Sequence, residues 1–251
     1  MADSIFSPRG SRVESEDVTA QYATASLPVD LPHVPLEAGA GPENPPCPAC
    51  SEPLFPWVGM PVGSGIAHRC EACGLGVLVH GEKFRFGSDG RETPYRFDPG
   101  TAEDALRELD LGREENGAIV FDNRASLQGW ITGGAWVGLG TDRRYCFTPD
   151  AVTRLVATRD QIVTGVRWRT LRGIATMWQS GINMFTFGQN LVLGSLGKAH
   201  RVEADRPWKR ALDWFISIAV ALPAIVAAVP LELVGMLFRR GGAARARLQV
   251  L

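Results

Sequence analysis

Four cysteines in two short pairs are the residues of this sequence whose types and spacing most clearly predict chemistry. They form the pattern C-x2-C-x19-C-x2-C, made by Cys47, Cys50, Cys70 and Cys73. This spacing is typical of a four-sulfur zinc site. Two thiolates in one tight turn can reach the same tetrahedral ion at about 2.3 Å each, and the second pair completes the tetrahedron. Four sulfur ligands leave no open position for a substrate, so we expect the zinc to be structural.

The residues around the two pairs favour a zinc ribbon. Gly74 follows the second pair, where a positive φ suits glycine, and Ser51 holds the equivalent place after the first. The stretch "LGVLVHGEKFRF" is rich in strand formers and is interrupted at "HGEK", which predicts a hairpin. His68 and His80 are alternative ligands that a complete cysteine set makes unnecessary. A redox-active pair is the other reading of such cysteines, but two matched pairs favour metal. We expect the remaining cysteine, Cys146, to be an inert core residue.

Composition sets limits on the compartment and the partners. The chain has 251 residues and a formal net charge of −1, and the cysteine module holds few basic residues, so we expect no nucleic-acid partner. The N-terminus lacks a basic start followed by an apolar core, which argues against a secretory signal. Five cysteines are too few for a disulfide-stapled scaffold of this length. We therefore expect a reducing, cytoplasmic location.

The distribution of apolar residues divides the chain into four segments. Residues 1–46 carry few large apolar side chains, so they cannot offset the entropy of ordering and are predicted to be a disordered arm. Residues 47–96 form the predicted zinc ribbon, and residues 97–207 a region of mixed helices and strands. Residues 208–251 hold an apolar helical segment and a last strand.

Helices and strands alternate in the third segment, which indicates an α/β layer. "TAEDALRELDL" predicts a helix with Thr101 as N-cap and Asp104 in a capping box, and "TPDAVTRLV" predicts a second helix capped by Thr148. "GAIVFDN" predicts a buried parallel strand, and "QIVTGVRWRT" predicts another strand. Asp122 and Asn123 end the first of these strands, where α/β sheets bind ligands. A helix cap or a solvated side chain is the alternative role for Asp122.

This segment resembles the C-terminal half of class I S-adenosylmethionine-dependent methyltransferases. "RFDPGTAEDALRELDLGREENGAIVFDN" is similar to the family's stretch between strands four and five, with matches at Asp98, Pro99, Gly117 and Asn123. "SLQGWITGGAWVGLGTDRRYCFTPDAVTRLV" is similar to the stretch that follows, with matches at Trp136, Phe147, Thr148 and Pro149. Arg144 or Tyr145 stands where the family usually has a histidine. The resemblance covers residues 97–251 and implies that "LQVL" forms a last, antiparallel strand.

The cofactor-binding half of that family has no counterpart in the sequence. The family holds S-adenosylmethionine with a glycine-rich turn after strand one and an acidic residue at the end of strand two. Only eleven residues, "GSDGRETPYRF", separate Phe86 from Asp98, too few for those elements. We therefore expect a truncated Rossmann-like methyltransferase sheet, without a site for S-adenosylmethionine.

A long apolar run near the C-terminus predicts contact with a membrane. Trp214 to Leu231 is eighteen residues without a charge, about 27 Å as a helix, and basic residues and tryptophans flank it. Pro223 and Pro230 interrupt the run and favour a bent helical pair that enters the interface and returns. The alternatives are a true span and packing within the protein or against a partner. If the last strand pairs within the sheet, the chain must return to its starting side.

Taken together, these features predict an α/β fold: a four-cysteine zinc ribbon, a truncated methyltransferase-like sheet and an apolar helical segment. The predicted function is a non-catalytic binding or scaffold module on the cytoplasmic face of a membrane. The alternative is an S-adenosylmethionine-dependent methyltransferase that a partner chain completes by supplying the missing half-domain, or one shortened by a gene error.

Overall fold

The strands of this chain form two small antiparallel sheets, and the α-helices follow the first three strands. The structure is a computed structural model and describes residues 44–59, 65–80, 97–140, 143–199, 201–204 and 206–251. The strands are β1 (Leu54–Gly59), β2 (Gly65–Cys70), β3 (Gly76–His80), β4 (Ile119–Asp122), β5 (Tyr145–Cys146), β6 (Gln161–Trp168) and β7 (Ala243–Val250). The α-helices are α1 (Ala102–Asp110), α2 (Leu127–Thr132), α3 (Pro149–Ala157), α4 (Thr170–Asn183), α5 (Leu191–Ser195) and α6 (Pro207–Leu237). Of the predicted disordered arm, residues 1–43 lie outside the described residues.

The first sheet belongs to the cysteine module, which we call the ribbon and define as residues Cys47–His80. Its order is β1-β2-β3-β5, and all neighbouring strands are antiparallel. The predicted hairpin after the second cysteine pair begins as β3, while "GEK" and the residues after it lie outside the described residues. Strand β3 pairs with β2 on one side and with β5 on the other. Because β5 comes from the following segment, the sheet joins the ribbon to the rest of the chain.

The second sheet has the order β4-β7-β6, with β7 in the middle and antiparallel to both neighbours. The prediction of three strands with an antiparallel last strand is therefore confirmed. The prediction of a parallel pairing for "GAIVFDN" is wrong, because β4 pairs with the antiparallel β7. Strand β7 also begins at Ala243, five residues before the predicted Leu248. Its early part contains the buried alanines Ala243, Ala244 and Ala246, and alanine gives little strand signal in a sequence.

Local signals in the sequence begin the two helices as predicted. Thr101 accepts a bond from the Asp104 backbone, and the Asp104 carboxylate accepts one from the Thr101 backbone, which completes the capping box of α1. Thr148 caps α3 by accepting a bond from the Ala151 N–H, with Pro149 in the first turn.

The ribbon shares its hydrophobic core with the helices and the second sheet. One cluster of buried side chains includes the thiols, the ribbon strands, α1, α3 and the inner face of β4 and β7, among them Cys70, Leu75, Leu106, Phe121, Leu155 and Ala244. The described residues belong to one unit, from Ala40 to Leu251. The ribbon therefore has no core separate from that of the rest of the unit. A three-stranded ribbon has too few apolar side chains to enclose a core alone.

Helix α6 is one continuous helix of 31 residues, about 46 Å long, rather than the expected bent pair. Pro223 and Pro230 lie within it, and both are exposed. Each proline lacks an N–H, so each removes one backbone bond, but both losses fall on the side away from α4. The packing of α6 along α4 is therefore left intact.

Thr148 joins the ribbon to helix α3. Its hydroxyl donates to the Cys73 carbonyl at 2.6 Å and accepts the Ala151 N–H at 3.1 Å. Its methyl group lies close to Gly74, where an added Cβ would approach it to 2.9 Å. One buried side chain thus fixes a helix start and a cysteine turn at the same time.

Replacing Thr148 by valine should lower the free energy of unfolding by about 2 kcal/mol, because both hydrogen bonds are lost from a buried site. Thr148→Ser keeps the hydroxyl and is the matched control. Urea unfolding of the two variants measures the difference. Equal stability of the two variants would show that the hydroxyl does not join the two regions.

Candidate metal centre and apolar surface

The four cysteine sulfur atoms converge on one point. The Sγ atoms of Cys47 and Cys73 are 3.6 Å apart, and those of Cys50 and Cys70 are 3.4 Å apart. All four sulfur atoms lie within 4.8 Å of one another. A tetrahedron of sulfurs about 2.3 Å from a central ion has edges of about 3.8 Å, whereas a disulfide would need about 2.05 Å. The arrangement suits one metal ion bound by four thiolates.

Two tight turns hold the sulfur atoms in place. In the first, the Ser51 N–H donates to the Cys47 carbonyl, and in the second the Gly74 N–H donates to the Cys70 carbonyl. Ser51 has a φ of 65° and Gly74 a φ of 74°. The positive φ expected at both positions is confirmed, and Ser51 adopts it without the freedom of glycine.

Hydrogen bonding among the thiols divides the protons unequally. The Cys47 and Cys73 thiols are hydrogen-bonded to each other, which lowers the pKa of Cys47 to about 6 and raises the pKa of Cys73. Burial raises the pKa of Cys50 to about 11. A cation would favour the thiolate at all four positions, because metal ligation displaces the thiol protons.

Arg124 supports the second cysteine turn from the side of the α/β region. Its Nη1 donates to the Gly74 carbonyl at 3.4 Å, and its guanidinium lies 3.9 Å from the centre of the Trp57 ring. Burial lowers the pKa of Arg124 to about 10, so it stays positively charged at neutral pH. The positive charge of Arg124 partly compensates the negative charge that four thiolates would carry. The sequence analysis did not identify Arg124. No local pattern shows that an arginine after a strand will contact a turn that is far away in the chain.

Two other residues that the sequence suggested for chemistry, His68 and Cys146, are buried in the core. His68 is buried with its ring centroid 4.1 Å from that of Phe97, and burial lowers its pKa to about 4. The ligand cluster comprises the four cysteines. Cys146 is buried, as expected, and burial raises its pKa to about 12.

The end of β4 is closed by side-chain contacts. Asp122 forms a two-pronged ion pair with Arg172 of α4, with both N–O distances at 2.9 Å. Asn123 is buried, donates to the Gly241 carbonyl and accepts the Ala125 N–H. Both residues therefore join β4 to its neighbours instead of facing an open cleft.

An apolar surface runs along the exposed side of α6. In the part of the chain that the structure describes, α6 is the helix long and apolar enough to cross a membrane, and 11% of its most apolar stretch is buried. Large exposed side chains recur every three or four residues, which places them on one face of the helix. We call this set the apolar stripe; it comprises Trp208, Leu212, Phe215, Ile218, Leu222, Val226, Val229, Leu233 and Leu237.

The opposite face of α6 is buried, small and partly polar. It holds Asp213, Ser217, Ala221, Ala224, Ala228, Glu232 and Gly235. The Asp213 carboxylate accepts two backbone N–H bonds, Trp178 donates to the Ala221 carbonyl, and Glu232 accepts the Gly242 N–H at 2.7 Å. Burial raises the pKa of Glu232. These contacts fasten the helix near both ends and in the middle.

Metal analysis of the purified chain should find one zinc ion per chain, and Cys70→Ser should lose it. Because the thiols lie in the common core, the whole unit should melt at a lower temperature in this variant. The circular dichroism signal of the helices measures that melting temperature. Cys146→Ser makes the same change outside the cluster and should keep the metal. Loss of zinc without a change in the helical transition would contradict the common core.

A scan against models of protein families finds no match, and searches among curated proteins and solved structures find none either. The chemistry of the centre is therefore inferred from its four sulfur atoms and from the groups around them. Those groups form a closed, thiol-rich site that suits a structural metal ion.

Proposed function

We propose that the chain is a zinc-ribbon protein that attaches to the surface of a membrane and acts there as a non-catalytic binding or scaffold module. The observation that carries the proposal is the reversed polarity of α6. Its buried face contains Asp213, Ser217 and Glu232, whereas its exposed face is the apolar stripe. A surface helix of a water-soluble domain has the opposite arrangement.

The length and continuity of the stripe favour a bilayer as the surrounding medium. Single exposed apolar side chains are common on proteins, but a contiguous row is not. The stripe extends over almost the whole of α6, about 46 Å, and no charged residue occurs between Trp214 and Leu231. Helices that lie in the plane of a membrane interface bury such a face among the acyl chains.

Attachment at the surface is favoured over a span. A spanning helix must leave its domain on one side, whereas α6 contacts the rest of the unit near its start, its middle and its end, through Asp213, Ala221 and Glu232. Strand β7 then returns directly to the sheet.

A scaffold role fits the chemistry of the described residues. Zinc is the ion that best suits four thiolates in a tetrahedron, and it would fold the ribbon instead of binding a substrate. Asp122, the acidic residue at the end of β4, is engaged with Arg172. The five cysteines form no disulfide, which supports a location on the cytoplasmic face.

The alternative is a methyltransferase-like chain completed by a partner. The order β4-β7-β6, with an antiparallel last strand, favours the Rossmann-like half-sheet that the resemblance implies. A partner would have to extend the sheet beyond β4. That edge already carries a bond from the Val120 N–H to the Gly112 carbonyl and one from the Glu114 N–H to the Ala118 carbonyl. The covered edge makes the scaffold role the better proposal.

Membrane attachment is tested with the triple variant Ile218→Asn, Leu222→Asn and Val226→Asn. All three side chains are exposed, so the fold should survive, but binding should fall at least tenfold because each buried side chain contributes about 1.5–3 kcal/mol. Sedimentation with phosphatidylcholine vesicles measures the binding. The control pair Leu111→Asn and Leu171→Asn removes exposed side chains elsewhere. Equal binding by the triple variant and the parent would contradict the proposal.

Catalysis is tested by calorimetry with S-adenosylmethionine and the full chain alone, with vesicles present to keep the protein dispersed. We expect no binding heat, because the sequence between the ribbon and α1 is too short for a cofactor pocket. Saturable binding at one site per chain would overturn the non-catalytic role and favour the methyltransferase alternative.

A further inference from the structure

The loop that follows α4 is fastened to the start of α6 by a buried carboxylate. Asp213 is 1% exposed and accepts the N–H groups of Phe187 at 2.7 Å and Gly188 at 2.9 Å. The loop backbone also packs closely on the segment around Val202, since a Cβ on Gly188 would lie 2.5 Å from the Val202 carbonyl oxygen. Phe187 is therefore held in a set position against the helix. Sequence reasoning gave Asp213 no role, because its partners are backbone groups of a distant loop.

This arrangement presents an aromatic cluster at the N-terminal end of the apolar stripe. We define the cluster as Phe185, Phe187 and Trp208, all of which are exposed. Phe187 and Trp208 meet edge to face with ring centroids 6.0 Å apart, and the Lys209 ammonium lies 5.3 Å from the Phe187 ring centre. Aromatic rings beside a cation are typical of the headgroup level of a membrane.

Cations stand at both ends of the stripe and are absent between them. Arg206, Lys209 and Arg210 lie at the start of α6, and Arg239 and Arg240 follow its end. Arg210 pairs with Glu203, while Asp213 points inward to the loop backbone. Arg206 and Lys209 therefore give the helix start a surplus of positive charge over the acidic residues beside it.

From these contacts we propose that the aromatic cluster and the cations beside it form a docking site for anionic phospholipid headgroups, which orients the stripe in the bilayer. The proposal rests on the membrane attachment proposed above and adds a lipid class and a point of contact. Charge complementarity favours anionic lipid over a second copy of the chain. Because both ends of the stripe are cationic, a copy packed on it in either direction would bring cations against cations.

The test compares vesicles of phosphatidylcholine alone with vesicles of equimolar phosphatidylcholine and phosphatidylserine, using the full chain. The parent should bind the anionic vesicles more tightly, and the double variant Arg206→Gln and Lys209→Gln should lose about fivefold in affinity for each cation removed. Its binding to neutral vesicles should not change. The matched control, Arg154→Gln with Arg247→Gln, removes two exposed cations elsewhere and should bind like the parent.

Aromatic insertion is measured in the same assay with Phe185→Ser and Trp208→Ser, which should weaken binding to both kinds of vesicle.

Equal binding of the parent to neutral and anionic vesicles would overturn the docking site and leave membrane attachment standing. An equal loss of affinity for anionic vesicles in the control pair would mean that only the overall charge of the protein matters. That result would also overturn the docking site. Binding to neither kind of vesicle would overturn membrane attachment itself. A dimer that the triple variant Ile218→Asn, Leu222→Asn and Val226→Asn dissociates would assign the stripe to a second copy and overturn the lipid proposal.

Discussion

The hydrogen bond from the Thr148 hydroxyl to the Cys73 carbonyl is the constraint on which the arrangement of the ribbon depends. It fixes the second cysteine turn to the first turn of α3, and Arg124 holds the same turn through the Gly74 carbonyl. These contacts from outside the ribbon support the second of the two turns that bring the sulfur atoms together. A metal ion at the centre would therefore stabilise the joint as well as the ribbon, since the thiols belong to the common core.

Helix α6 depends on a second constraint, the need to satisfy buried polar groups. Asp213 and Glu232 are buried but accept backbone N–H groups, so their burial is compensated. These contacts hold the small face of α6 toward α4 and leave the apolar stripe outside. The polarity of the helix is thus a consequence of where its carboxylates find partners. The same contacts oppose a span, because the helix cannot leave the unit without breaking them.

The second sheet shows that strand order and direction do not by themselves assign an activity. The antiparallel β7 between β4 and β6 has the direction that the methyltransferase resemblance implies. The side chains at the end of β4 nevertheless make structural contacts: Asp122 pairs with Arg172, and Asn123 donates to the Gly241 carbonyl. Function has to be argued from sites and not from sheet order. The sites that the described residues offer are a closed thiol centre and an apolar surface.

The sequence by itself determined the features that depend on near neighbours. The cysteine spacing, the positive φ at Ser51 and Gly74, and the capping box of α1 each involve residues a few positions apart, so the local pattern contains the interaction. Only the tertiary structure decided the rest. It showed that alanines of β7 fill the centre of a sheet, that the ribbon has no core of its own, and that the prolines of α6 leave it one helix. It also selected which face of α6 is exposed. These outcomes depend on contacts between segments far apart in the chain, and a periodic apolar pattern cannot say whether its apolar side faces a core or a bilayer.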